Sequence, residues 1–285
     1  MMNIDEIISN LKSLDLKQYP SAEIKTNLNK IGEIGYVINI LHKGYELIRL
    51  RPNWNGETFS DVSELSYKPQ QYNKTYQRAS TPNKTMFYAC SNQNDNPNAN
   101  KIIGRATALG EGFPIIRDIN ALGEWKVTYS KWVVQQDIPL ATICFNKYFN
   151  TKYPDFEFVY DSFQAYLKNY PQHKDRTLKI TEFLAQEFSN PNPTDKTDYL
   201  YSISAIFSEI VSEKFDGIIY PSVRTIGEGI NIALKPSVID TGKILCEVVA
   251  ECIVTRKSKD DVAVTNHSVA YLKNGQKQFT LKKCN

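Results

Sequence analysis

Phe215-Asp216-Gly217-Ile218-Ile219-Tyr220-Pro221-Ser222-Val223-Arg224 is the stretch from which the fold is read. Residues 215–220 form a short apolar run entered through Gly217 and stopped by Pro221, which reads as a buried strand. Ser222, just past the proline, is either a turn or cap residue or a hydroxyl offered to a ligand. Immediately before this strand, residues 199–213 repeat Leu200, Ile203, Ala205, Ile206, Ile210 and Val211 on one broad helical face, with Thr197 or Asp198 as the cap. Immediately after it, residues 231–234 read as another strand and residues 245–255 alternate strongly.

Working back toward the N-terminus, residues 153–190 look helical with a break near Pro171, and residues 190–193 form a turn. Residues 125–134 and 138–145 read as strands, residues 102–122 as partly helical, and residues 85–90 as a short aromatic strand. Residues 91–101 are rich in asparagine and cannot bury a core, so a surface loop is expected. Residues 53–83 are polar, broken by Pro69 and Pro82. Residues 45–51 read as a strand with Tyr45, Leu47 and Arg49 toward one face and Ile48 and Leu50 toward the other. Residues 3–41 hold two helical stretches, the first started by Asn3 or Asp5, while Tyr36, Ile38 and Ile40 fit helix or strand. The tail after Lys257 is charged, with a hairpin expected around Asn274-Gly275. Strands and helices mix at uneven spacing, so the class is α+β, not a doubly wound sheet. The expected organisation is a helical N-terminal extension over 1–44, a catalytic domain over 45–256, and a charged C-terminal segment over 257–285 packed on it.

The 285 residues hold 34 Lys plus Arg and 31 Asp plus Glu, a net charge of +3, which argues against a nucleic-acid surface or a membrane patch. Five cysteines, with no pair spaced as CxxC, argue against a zinc ribbon or a disulfide framework, and three histidines argue against a His-based metal site. No metal and no cofactor is therefore expected. The opening MMNIDEIISNLK is acidic and amphipathic, and no apolar stretch is long enough for a membrane span, so a cytoplasmic location is expected. No glycine-rich phosphate loop is present; Gly227-Glu228-Gly229 is only a fragment of one.

Four segments carry polar chemistry in a fixed order. They are Ile48-Arg49-Leu50-Arg51, then Gln77-Arg78-Ala79-Ser80-Thr81-Pro82 running on to Tyr88-Ala89-Cys90-Ser91, then Thr107-Ala108-Leu109-Gly110-Glu111, and finally 216–224 with 229–234. Together, from about residue 45 to about residue 254, they resemble the RES-domain toxin family, named for its Arg, Glu and Ser. The fourth segment matches that family's Asp-Gly-Ile-x-Tyr-Pro-Ser strand almost letter for letter. Ile48 stands where the family has an aromatic, and Gln77 and Ser80 stand where it has Gly and Asn.

The resemblance implies an ADP-ribosyltransferase-like mixed sheet with flanking helices. It further implies degradation of NAD by phosphorolysis or hydrolysis, so NAD is the expected substrate and inorganic phosphate or water the acceptor. An Xre-type antitoxin is the expected protein partner. By position, Arg49, Glu111 and Ser222 take the catalytic roles. Arg51, Arg78, Tyr88, Tyr220 and Asn231 are the candidate substrate contacts.

The residue types suit that chemistry. Nicotinamide leaves neutral and needs no general acid, while the ribose becomes cation-like and is stabilised by a carboxylate such as Glu111. A forked guanidinium such as Arg49 suits a diphosphate, Tyr88 can stack on the nicotinamide ring, and Ser222 can hold a carboxamide, ribose or phosphate. Each also has a plainer reading. Arg49 and Arg51 fit surface ion pairs, Arg78 a structural contact, Glu111 a helix-dipole interaction at a helix start, and Tyr88 and Tyr220 a core. Protein ADP-ribosylation and an inactive RES-like binding module are the alternatives in function.

Overall fold

Only glycine fits at the start of the central strand: a Cβ on Gly217 would lie 2.2 Å from the carbonyl oxygen of Ala233. The computed structural model describes residues 3–32, 37–92, 103–143, 154–190, 196–225 and 229–284. In chain order the elements are α1 (Ile4–Ser13), α2 (Ser21–Lys30), β1 (Val37–Leu41), β2 (Glu46–Pro52), β3 (Phe87–Ser91), α3 (Ile103–Gly112), β4 (Gly123–Val134) and β5 (Ile138–Thr142). There follow α4 (Pro154–Asn169), α5 (Lys174–Phe188), α6 (Ser202–Val211), β6 (Gly217–Pro221), β7 (Ile230–Leu234), α7 (Pro236–Asp240), β8 (Ile244–Ser258), β9 (Asp261–Tyr271) and β10 (Lys282–Lys283). The chain is α+β.

The ten strands form one mixed sheet in the order β1-β5-β6-β7-β3-β2-β4-β8-β9-β10. Among the described residues β5 and β6 are the parallel pair, and every other neighbour runs antiparallel. A parallel pair needs a crossover, and α4, α5 and α6 lie between its strands in the chain.

Alternation along β2 parts two cores. Leu47 enters the larger one with Phe87, Trp132, Ile218 and the apolar faces of α1, α2, α5 and α6. Ile48 and Leu50 enter the smaller one with Ala108, Leu109 and Phe113 around α3. Tyr220 and Ile232 are buried in the larger core as well.

Three expectations change. Residues 37–41 are the strand β1, paired with β5 through Ile38↔Ala141, so the segment 1–44 is not helical throughout. Ile38 and Ile40 face outward on this edge strand, which is why their alternation fits either element. The chain enters α6 through a 3-10 turn, Asp198–Tyr201, with no capping side chain; Asp198 instead accepts from Tyr19 Oη at 2.7 Å and Tyr76 N at 2.8 Å. The expected turn at Asn274-Gly275, where Gly275 has φ 75°, does join β9 to antiparallel β10, and a further turn at Lys259-Asp260 joins β8 to β9, so the tail extends the sheet. Finally, α3 as described spans Ile103–Gly112, which places Glu111 in the helix's last turn. Asn3 does cap α1, accepting from Asp5 N at 3.0 Å. The asparagine-rich loop beyond Asn92, the turn over 191–193 and Tyr36, Gly227 and Glu228 lie outside the described residues. Among the described residues no helix is long and apolar enough to cross a membrane.

Candidate functional site

A carboxylate in the last turn of a helix faces the negative end of the aligned peptide dipoles, so helix formation gives no reason for Glu111. Its surroundings do. Glu111 Oε1 accepts from Ser222 Oγ at 2.7 Å and from Asn231 Nδ2 at 2.8 Å. Among the described residues Oε2 accepts no bond. Gly229 makes the approach possible: a Cβ there would sit 2.0 Å from Thr107 Oγ1 on α3. Ser222 N also donates to Gly229 O at 2.7 Å, which closes the turn beyond β6.

Asn231 lies on β7 between Tyr220 of β6 and Cys90 of β3. Burial pushes the Cys90 thiol well up, with Glu111 adding to the rise, so sulfur keeps its proton. It donates to Asn231 Oδ1 at 3.3 Å and so turns the amide's NH2 toward Glu111.

This carboxylate opens on a cavity of about 1110 Å³. Arg49, Arg51, Arg78, Tyr88, Tyr220 and Asn231 line it with Glu111. Ser222 does not line it: at 0% exposure it sits one layer behind and touches Glu111, not the open space. Seven of the eight residues singled out in the sequence thus share one cavity, and the eighth is hydrogen-bonded to one of them.

The guanidinium groups are held in different ways. Arg49 donates to the carbonyl oxygens of Leu65 at 3.0 Å and Tyr88 at 2.6 Å and lies over the Phe87 ring. Burial, with Arg51 nearby, lowers its pKa to about 10, so it stays charged at neutral pH. Arg51 donates to Glu64 O and pairs with Glu57 at 3.5 Å, over the ring of Phe59. Arg78 donates to the carbonyls of Phe188 and Asn190 and to Tyr201 Oη, stacking on Tyr201 at 4.9 Å. At 7% exposure it anchors the loop before β3 to the end of α5. Tyr88 Oη accepts from Ala79 N at 3.0 Å and meets Ser80 Oγ at 2.7 Å, so the phenol is fixed while its ring faces the cavity.

Arg117, Arg224 and Tyr201 also line the cavity and were not assigned from the sequence. Arg224 closes the 215–224 stretch itself, two positions past Ser222, and reading that stretch to its end finds it. Arg117 has no such signal; a 3-10 turn, Pro114–Arg117, brings it back against α3. Among the described residues no group of three or more His, Cys, Asp or Glu side chains is placed to hold a metal ion. The arrangement suits an anionic molecule carrying a centre that becomes electron-poor beside Glu111. No family model matches the chain and no curated protein matches it, so the chemistry of this cavity is read from its own geometry.

Proposed function

We propose that the chain cleaves the nicotinamide–ribose bond of NAD, in the manner of the RES-domain toxins it resembles and on an ADP-ribosyltransferase-like fold. One observation carries the reading: Glu111, fixed through a single oxygen by Ser222 and Asn231, faces a cavity whose wall holds six cations.

The bonding pair between ribose C1′ and the pyridinium nitrogen moves onto nitrogen, and nicotinamide leaves neutral. C1′ is left electron-poor, and the unbonded oxygen of Glu111 stabilises that charge. An oxygen of phosphate or water then bonds to C1′, and the acceptor's proton passes to solvent. Ser222 and Asn231 keep the carboxylate from turning away, so Ser222 acts on Glu111 and not on substrate. Tyr88 and Tyr220 supply aromatic wall for the nicotinamide ring.

Purified protein given NAD, with and without phosphate, tests this by the release of nicotinamide. Release that needs phosphate marks phosphorolysis, release without it marks hydrolysis, and ADP-ribose on a protein band marks transfer. Glu111→Gln keeps both hydrogen-bond acceptances and removes the charge, so its rate falls by about a hundredfold or more while its melting temperature stays close to wild type. Folded wild-type protein that releases no nicotinamide and labels no protein overturns the reading.

A further inference from the structure

Six cations line the cavity, Arg49, Arg51, Lys68, Arg78, Arg117 and Arg224, against two carboxylates, Glu64 and Glu111. Neither carboxylate is committed to them. Glu64 accepts from the backbone N–H groups of Ser60 and Asp61, and Glu111 from Ser222 and Asn231. Arg49, Arg51 and Arg78 are tied to backbone carbonyls, a glutamate or a phenol, as described above, and Lys68 is exposed at the rim.

Arg117 and Arg224 differ. Both rest on the C-terminal end of α3. Arg117 donates from Nε to Gly110 O at 3.0 Å and from Nη2 to Glu111 O at 2.6 Å, and among the described residues Nη1 has no partner. Arg224 packs its Cβ against Gly110, where an added Cβ would lie 3.2 Å away. Its Nε is buried with no hydrogen-bond partner among the described residues. Burial, and then Arg224 itself, lower the Arg117 pKa, so the two charges repel. Two like charges held together, one with an unmet buried donor, are stabilised by an anion that bridges them.

We propose that Arg117 and Arg224 form the subsite for the diphosphate of the dinucleotide, with Arg49 fixed in the wall instead. The assignment rests on the reading of the cavity as an NAD site. A nicotinamide ribose with C1′ at the Glu111 carboxylate carries its diphosphate one sugar away, and the Arg117 and Arg224 side chains rest against the backbone of Gly110 and Glu111. The substrate class is thereby narrowed: a dinucleotide is taken and nicotinamide riboside, which lacks phosphate, is not.

Titration calorimetry with ADP and with inorganic pyrophosphate tests this without requiring turnover. Wild type binds both. Arg224→Gln and Arg117→Gln each weaken ADP by roughly ten- to a hundredfold, the loss of one charge-assisted contact, and leave nicotinamide affinity unchanged. Should either variant fail to fold, phenylglyoxal labelling of wild type replaces it: pyrophosphate protects Arg117 and Arg224 but not Arg51. Wild type that binds neither probe, variants that bind ADP as wild type does, or labelling that pyrophosphate does not change, overturns the subsite. ADP binding that needs Arg224 in a protein that releases no nicotinamide keeps the subsite and removes the cleavage reading.

Discussion

Cys90 is a small apolar side chain in a strand core by type, yet its proton meets the Asn231 amide oxygen and supports the orientation in which the NH2 reaches Glu111. Cys90→Ala leaves that amide held by Glu111 alone, and Cys90→Ser restores a donor. Nicotinamide release is therefore expected to fall about fivefold in the alanine variant, in kcat and not in KM, and to recover in the serine variant. Equal loss in both would mean that packing, not orientation, is at stake. The sequence displays Cys90 within a polar segment but cannot display its partner, which is 141 positions away. Glu111 was legible as a site residue and illegible in its setting. Taken at a helix start, the carboxylate would be welcomed by the dipole, whereas α3 as described, Ile103–Gly112, puts it in the last turn, where the dipole opposes it. Ser222 likewise is found by its motif, but its full burial behind Glu111 is a property of packing against α3 that no spacing reveals.

At the scale of elements, the long apolar runs declare themselves and the edges do not. The strand in 215–220 is legible because it is buried on both sides, whereas β1 is an edge strand with Ile38 and Ile40 outward. The expected cap at Asp198 fails because a longer-range demand wins: Tyr19 and Tyr76 take both carboxylate oxygens. Removing that acceptor in Asp198→Ala leaves a buried backbone N–H unpaired and is expected to cost about 2 kcal/mol in urea denaturation. Helix α5 carries a second consequence. Burial raises the Glu187 carboxyl to about 7, against a weaker opposing pull from Lys12 of α1. A carboxyl raised on folding binds more protons folded than unfolded, so stability falls as pH climbs from the ordinary carboxylate range through about 7. Glu187→Gln is therefore expected to raise the melting temperature at pH 8, by the equivalent of about 1 kcal/mol or more, and to leave it unchanged at pH 4. A gain of equal size at both pH values would rule out the ionisation as its source.

Across the whole molecule, the N-terminal helices belong to the core and supply no wall of the cavity. Ile4, Ile7, Leu11, Ile24, Leu28 and Ile31 are all buried in the larger core, and the cavity is lined from Ile48 onward. At about 2 kcal/mol for each buried side chain, their loss approaches the full stability of a typical domain. Deleting residues 1–32 is thus expected to give protein without a cooperative unfolding transition. A deletion that folds and cleaves NAD faster would instead make this segment a cover. The division at residue 44 drawn from the sequence followed where polar motifs begin, whereas the sheet runs across it through β1.

The parallel junction of β5 against β6 has a consequence for assembly. Hairpins such as β8–β9 join neighbours in the chain and close quickly, but this junction waits until residues 143–216 have been laid down as a crossover. Ser222 follows directly from β6, so the clasp on the carboxylate depends on that junction being made. Arg224 lies only two positions past Ser222, so whatever seats the serine behind Glu111 seats that guanidinium as well.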